Sequence, residues 1–421
     1  MDHVIRGWAL GEQIAAGDRL PRWIPQLGLG RGFPLFVAYA PGLYYPLVGI
    51  AAVAGGYPAA AEWLTLALIV VLGLGAYCLG ARWQGRAGGL LAAAGTVGAP
   101  YVLLDAESRG SLPELAVLAG LPWLLLAIDR ALAATGRAAT IWCCLLGAIG
   151  AALVWVYTFG PLLVLPVALA YIGIRLPGLR ASARRSALAR IALAGAIALG
   201  LSSLFWLPVL AWRDALATGP QASDATLGWN FRSAGDLIAD WRSQIGRVWW
   251  ERLTGNVGQS AAATDLPGIM ARPMAPPVGL VAWTVIGTLV AGWLGTSAWA
   301  RLGGLTIGGL TCLWLTLDAS RWLWDLVPGL SFVQFPWRFF GPASVALGLS
   351  LAFLPAALPR RGRRLLAGVV AVAFVMLGLG NVSIARYPID AALTESAVRR
   401  RELIGHLGTT SGAGQFLPRW A

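Results

Sequence analysis

Lysine is missing from this chain, so all 32 basic side chains are arginines. Histidine is nearly missing as well: His3 and His406 are the only two. Two histidines exclude a three-histidine zinc centre and argue against a histidine-based catalytic triad. Cysteine is confined to Cys78, Cys143, Cys144 and Cys312, each inside an apolar run and none in a CxxC pair. Neither a disulfide framework nor a thiolate zinc site can be drawn from them. Charge is scarce at 12% of residues, and the N-terminus lacks the short basic-then-apolar pattern of a cleaved signal.

What fills the 421 residues instead is apolar: 57% are hydrophobic, with a mean hydropathy of +0.68. Those values describe an all-α polytopic membrane protein whose solvent is the bilayer. The wealth of Ala, Gly, Leu, Arg and Trp points to a GC-rich bacterial genome. A spanning helix needs about 20 mostly apolar residues, and ten segments meet that need. They lie near 59–82, 87–104, 112–132, 138–157, 159–174, 190–212, 278–298, 302–318, 337–358 and 365–384.

Arginine position then sets orientation, because short cytoplasmic connections carry the positive excess. Every second connection does so: Arg82 and Arg86, then Arg130 and Arg137, then the run from Arg175 to Arg190, then Arg301, then Arg360 to Arg364. These are expected inside. The long connection 213–277 holds six arginines against six acids and is expected outside. The sequence thus divides into an outside first-loop region (1–58), spans one to six (59–212), the outside loop (213–277), spans seven to ten (278–384) and the start of an outside C-terminal region (385–421). The net charge of +13 is accounted for by this topology, so membrane lipids rather than nucleic acid are the expected partners.

The stretch from Gly17 to Pro46 precedes the first long run. Pro34, Pro41 and Pro46 leave too few uninterrupted residues to span, which suits a re-entrant or interfacial segment. Before it, Val4, Trp8, Ile14 and Ala15 fall roughly on one face, with Arg6 and Glu12 elsewhere. That pattern predicts a helix lying in the membrane interface and ending at Gly17. Tryptophans gather in the outside loops at Trp229, Trp241, Trp249, Trp250, Trp322, Trp324 and Trp337, either as a headgroup-level belt or as a carbohydrate or lipid-phosphate surface.

Two clusters could carry chemistry. Asp105, Glu107, Arg109 and Glu114 lie within ten residues at an expected outside mouth between two spans. Paired carboxylates beside an arginine can deprotonate a hydroxyl, hold a divalent cation, or simply neutralise one another. In the second cluster, Gln334 and Arg338 flank a proline and aromatics just before a span. Arginine's planar fork suits phosphate oxygens, although an arginine snorkelling to the interface reads the same way. Arg22 and Arg31 stand under the same two readings. Tyr157 and Thr158 could hydrogen-bond a ligand or cap helix ends. "GLGRG" at 28–32 follows no strand and so supports neither a dinucleotide fold nor a P-loop.

Taken in order, "HVIR", "LPRWIP", "GLGRGFPLFVAYAPGLYY", "RGSLPELAVLAGLPWLLLAI" and "FVQFPWRFFGPASVALGL" resemble the bacterial 6-pyruvoyl-tetrahydropterin synthase-related membrane domain proteins. These are relatives of the YfhO-like proteins in the GT-C glycosyltransferase superfamily. The resemblance covers nearly the whole chain, and the pterin label implies no chemistry here because the histidines for that zinc site are lacking. It implies an extracytoplasmic site in the bacterial inner membrane that moves a sugar from a polyprenyl-phosphate donor to an envelope acceptor, usually with inversion. A first-loop acid would serve as base or metal ligand, so a divalent cation is an open expectation.

In that family the first loop reads as an aspartate, three residues, a histidine, two residues and an arginine. His3 and Arg6 match the last two, which places the aspartate before Met1; Asp2 is close but out of register. The expectation is a chain lacking its first helix and continuing beyond Ala421. On this resemblance Arg22, Arg31, Arg109, Gln334 and Arg338 would hold the carrier phosphate, while Asp2, Asp105, Glu107 and Glu114 would be the catalytic or cation-binding acids. A non-catalytic scaffold or transporter-like protein that binds lipid-linked sugars or an envelope polymer stays open beside it, and the missing aspartate favours that alternative.

Overall fold

In the computed structural model the first two apolar runs fold as one hairpin. A helix over Tyr57–Val97 is broken at Gln84 (φ −138°) and Gly85 (φ 69°). Its limbs then lie against each other: a side chain at Gly80 would meet the Gly88 carbonyl at 2.7 Å, and one at Gly89 would meet the Tyr77 carbonyl at 2.8 Å. Only glycine adopts the Gly85 conformation without strain, so the turn needs no loop.

The structure describes residues 2–212, 214–215, 231–239, 274–296, 298–327, 329–357, 363–380 and 394–403. Its helices are α1 (Asp2–Ala15), α2 (Tyr44–Ala54), α3 (Tyr57–Val97), α4 (Leu112–Ala133), α5 (Gly136–Val156) and α6 (Gly160–Arg175). After these come α7 (Ala181–Trp212), α8 (Val278–Trp293), α9 (Trp299–Leu315), α10 (Phe340–Ser350), α11 (Arg363–Gly380) and α12 (Glu395–Leu403). No strand occurs among the described residues, only isolated bridges such as Ile24 to Phe33. Each of the ten expected spans coincides with helix, with shifts at the ends. The span placed at 190–212 starts nine residues earlier, because the Ala- and Arg-rich segment from Ala181 continues the helix. The span placed at 337–358 is composite: 3-10 turns at Pro336–Phe339 and Leu351–Phe353 flank α10, and Leu354–Ala357 follows.

Among the described residues five helical segments, Tyr57–Val97, Leu112–Ala133, Gly136–Val156, Ala181–Trp212 and Pro336–Ala357, are long and apolar enough to cross a membrane. The Tyr57–Val97 segment is itself the hairpin, and its second limb, Arg86–Val97, is the shorter one. Burial sorts the segments. The most apolar window of Pro336–Ala357 is 89% buried and that of α4 is 72% buried, against 17% for α7. Thus α4 and α10 form the centre, while α7 faces outward.

Apolar burial alone does not bind helices in lipid, so contact comes from small residues and hydroxyls. A side chain at Gly348 of α10 would meet the Gly95 carbonyl of α3 at 2.7 Å. One at Gly304 of α9 would meet the Tyr171 backbone of α6 at 2.8 Å. Thr288 of α8 and Thr306 of α9 share a hydrogen bond of 2.8 Å.

The first region departs from its expected interfacial helix. From Val4 to Leu10 every residue of α1 is buried, Arg6 included. Sequence patterning set Arg6 apart from the apolar face. The structure shows why it turns inward: its guanidinium lies 3.9 Å from the Tyr39 ring centre and donates to the Tyr44 hydroxyl at 3.3 Å. Gly7 meanwhile lets α1 press on Leu47 of α2. The segment with three prolines does not span; after Pro34 and Pro41 it forms α2 and turns through Gly55 and Gly56, both at positive φ, into α3. Trp324 and Trp337 are buried whereas Trp322 is exposed, so the aromatic cluster is only partly a belt. Trp229, Trp241, Trp249 and Trp250 lie outside the described residues.

At the opposite end of α4 from its start at Leu112, buried Asp129 pairs with Arg82 (3.0 Å), Arg175 (2.9 Å) and Arg301 (3.4 Å) and accepts from the Tyr171 hydroxyl (3.1 Å). Three arginines that mark the expected cytoplasmic connections therefore turn inward and tie α3, α6 and α9 to α4.

Candidate functional site: an arginine-lined cavity

Between the hairpin and α4 the chain makes one π-helical turn, Leu104–Arg109, ended by Gly110 at φ 58°. Pro113 then opens α4 with Glu114 in its first turn, where a carboxylate suits the positive end of the helix dipole. Glu114 is fully buried. It accepts the Tyr101 hydroxyl at 2.5 Å and Arg109 Nη2 at 3.2 Å, and Arg338 Nε pairs with it at 3.4 Å. Arg109 Nη1 donates to Asp105 Oδ1 at 2.5 Å and to the Tyr101 hydroxyl at 2.9 Å.

The two arginines are also packed on aromatic faces. Arg109 lies 4.4 Å from the Trp337 ring centre and Arg338 lies 4.8 Å from that of Phe335. Arg338 Nη1 donates to the Val333 carbonyl at 2.7 Å. The turn that delivers Arg338 is bent at Gln334, whose φ of 66° is rare for a residue with a side chain. Backbone held that way concentrates at sites where position matters.

Above these groups opens a cavity of ≈ 210 Å³. Its wall holds Arg109, Arg338, Gln334, Tyr157 and Thr158 from the bundle, and Asp2, His3, Arg6, Tyr39 and Tyr44 from the first region. His3 Nδ1 and the Tyr44 hydroxyl lie 2.9 Å apart. Burial first, and the Arg6 charge next, hold the His3 imidazole well below its ordinary 6.5, so it is neutral at pH 7. Burial and then the neighbouring Glu114 push the Asp105 carboxyl well above the ordinary carboxylate range. Burial opposes the charge of Arg109, but Glu114 and its other partners outweigh it and keep Arg109 cationic.

Of the nine residues put forward from sequence as catalytic or phosphate-binding, Asp2, Arg109, Gln334 and Arg338 line this cavity, as do Tyr157 and Thr158, which were offered as ligand-bonding or capping groups. Asp105 and Glu114 stand behind Arg109 as its partners. Glu107 is on the exposed side of the π-turn. Arg22 donates to the carbonyls of Phe36 (3.0 Å) and Leu204, and Arg31 is exposed; neither lines the cavity. Sequence reasoning did not single out Tyr39 or Tyr44, and it reached His3 and Arg6 only through the family resemblance. A signal for that pair exists: three residues apart, they share one face of α1.

The donor set does not fit a divalent cation. Asp105 and Glu114 are both engaged by Arg109, and the polar wall of the cavity is arginine, phenol and imidazole, with Ser111, Thr158 and Gln334 as neutral groups and Asp2 as its carboxylate. Among the described residues no three His, Cys, Asp or Glu side chains converge on one point.

No protein-family model and no curated protein matches the sequence. Solved structures do. The archaeal oligosaccharyltransferase AglB from Archaeoglobus fulgidus, in complex with an inhibitory peptide and a dolichol-phosphate, is 14% identical, with a TM-score of 0.51 over 92% of this chain and 52% of that one. The Archaeoglobus fulgidus oligosaccharyltransferase tethered to an acceptor peptide gives 11% identity and a TM-score of 0.50 over the same shares. ArnT from Cupriavidus metallidurans, bound to undecaprenyl phosphate, gives 15% and 0.40 over 85% of this chain and 74% of that one. The chain spans about half the length of the archaeal enzymes. At this level of identity the likeness is one of fold: this is a multi-pass membrane protein with the fold of the GT-C glycosyltransferases.

Proposed function

We propose that the chain is a GT-C-type glycosyltransferase, kin to the YfhO-like proteins its motifs resemble. In this reading it transfers a sugar from a polyprenyl-phosphate carrier to an envelope acceptor on the extracytoplasmic side of a bacterial inner membrane. One observation carries the reading: Arg6, Arg109 and Arg338, from three separate stretches of chain, line a single cavity. Guanidinium groups match phosphate oxygens in pairs and keep their charge when partly dry. A protein of the same fold was captured with a dolichol-phosphate, a ligand of the same class.

In the transfer, an acceptor hydroxyl oxygen bonds to the anomeric carbon as the bond from that carbon to the phosphate oxygen breaks, with inversion. The electron pair stays on the phosphate, and the arginines stabilise its growing charge in a site shielded from water. The acceptor's proton goes to a base on the wall. Asp2 is the carboxylate there, and neutral His3 offers a second acceptor. Asp105 and Glu114 act through Arg109 and Arg338 as positioning residues.

A second reading, a scaffold that binds lipid-linked sugar without chemistry, is favoured by Asp2 being paired already with Arg401 at 2.8 Å. Two measurements separate these readings. Undecaprenyl phosphate should bind the purified protein, and Arg6→Gln or Arg338→Gln should each weaken it about tenfold, ~1.4 kcal/mol. Equal affinity in the folded variants refutes the phosphate site. Binding without any transfer of labelled sugar from a polyprenyl-phosphate donor to envelope acceptors supports the scaffold.

A further inference from the structure

The "GLGRG" loop has a use unrelated to nucleotides. Gly28, Leu29, Gly30 and Gly32 all have positive φ, at 67°, 58°, 80° and 88°. Backbone wound in this way gathers N–H groups into a concavity that suits an anion. It is filled from within the chain: Gly28 N–H and Leu29 N–H donate to the two carboxylate oxygens of Glu402 at 2.8 and 2.7 Å. Glu402, on α12, is only 4% exposed.

Three more contacts seat the same helix. Arg401 Nη2 pairs with Asp2 Oδ1 at 2.8 Å. Val398 is 1% exposed, within the cluster that holds Ile5 and Trp8 of α1 and Ile24 and Phe33 of the loop. Arg399 covers Gly30 so closely that a side-chain carbon there would meet its guanidinium at 2.7 Å. The loop therefore accommodates α12 twice, with donors at 28 and 29 and with bare backbone at 30.

We propose that α12 is the latch of the anion cavity, and that Glu402 and Arg401 are positioning residues for the ligand site. The proposal rests on reading the cavity as a carrier-phosphate site. Its logic is one of connectivity. Asp2, His3 and Arg6, all on the first turns of α1, make up much of one cavity wall, and α12 grips α1 directly at Asp2 and indirectly through the loop. Both grips are charge-assisted and partly dry, the setting in which such bonds are strongest. With Glu402 seated, the donors of Gly28 and Leu29 serve the latch, and the ligand phosphate is left to the arginines and tyrosines.

The test uses the full chain in detergent or nanodiscs with undecaprenyl phosphate as probe. Glu402→Gln and Arg401→Gln should each weaken affinity several-fold to about tenfold and speed amide exchange in residues 2–15, with thermal unfolding of the bundle little changed. Arg401→Lys, which keeps the pair with Asp2, should retain most of the affinity. Faster exchange in residues 2–15 with unchanged affinity for Glu402→Gln, alongside weakened binding for Arg6→Gln, overturns the latch and leaves the cavity reading standing. Unchanged affinity for Arg6→Gln itself overturns the cavity reading, and the latch falls with it.

Discussion

Glu114→Gln is the sharpest perturbation of the site, because it changes charge with almost no change of shape. In the native chain Glu114 is completely buried and takes the Tyr101 hydroxyl on Oε1 and both arginines on Oε2. Glutamine keeps an oxygen for Tyr101 but turns an amide donor toward Arg109 and Arg338, so donors meet donors. Arg109 retains Asp105 and Arg338 retains the Val333 carbonyl, yet the charge that offset the pair is gone. The side chains of both arginines are only 10% and 12% exposed, so water repairs little of the loss. Breaking a buried pair by removing one partner costs about 3–5 kcal/mol. Thermal unfolding in detergent should therefore fall clearly for Glu114→Gln. Glu107→Gln, on the exposed side of the preceding turn, provides the control and should stay within about 0.5 kcal/mol. Equal unfolding of the two variants would refute the claim that Glu114 anchors the arginines.

Three further outcomes follow from other parts of the structure. His3 is held below its ordinary 6.5 when folded, so below that pH the unfolded chain binds the extra proton. Stability from His3 is thus fully present above pH 6.5 and lost as pH falls toward the folded value, and His3→Gln should flatten the unfolding curve across that acid window. Asp129→Asn leaves Arg82, Arg175 and Arg301 facing one another at the other end of α4 and should cost at least as much as Glu114→Gln, read as lower yield and lower unfolding temperature. Gly348→Leu forces a side chain into the Gly95 backbone of α3; it should destabilise the bundle by about 1–3 kcal/mol while leaving affinity for undecaprenyl phosphate unchanged in whatever protein still folds.

The spans were legible because the bilayer permits few solutions, and runs such as 112–132 and 138–157 meet the length requirement without ambiguity. The tight turn at Gly85 was not, since "WQGRAGG" also reads as an ordinary cytoplasmic loop. Arg82, Arg175 and Arg301 drew notice in the sequence as expected topology markers and not as partners of Asp129, because an Asp-Arg pair at 129 and 130, at the end of an apolar run, reads as the start of a charged connection. At the site, Arg109, Glu114, Gln334 and Arg338 announced themselves by charge or amide beside a span. Arg6 hid for the opposite reason: periodicity sets it apart from the apolar face, and the Tyr39 ring and Tyr44 hydroxyl that help to make its burial tolerable lie more than thirty residues away. The grip of Glu402 on the 28–32 loop is a contact across almost the whole chain, and no local pattern encodes it.

Helix α4 carries a buried carboxylate near each end, fifteen residues apart, about 22 Å along a helix axis. Their surroundings differ in a way the helix itself explains. Glu114 sits in the first turn, where the dipole favours a negative charge, and two arginines and the Tyr101 hydroxyl converge on it. Asp129 sits in the last turns, where the dipole opposes it, and three arginines and a tyrosine converge. With the Asp105 carboxyl pushed well above the ordinary carboxylate range by burial and by Glu114, Glu114 is left to offset both Arg109 and Arg338, and this cluster leans positive. Arg6 from α1 adds to that charge on the cavity wall, which on the proposed reading gives a phosphate donors already held in place. On the proposed reading binding strength is set by how firmly α1 is held, which would make the first region as much a part of the site as the bundle.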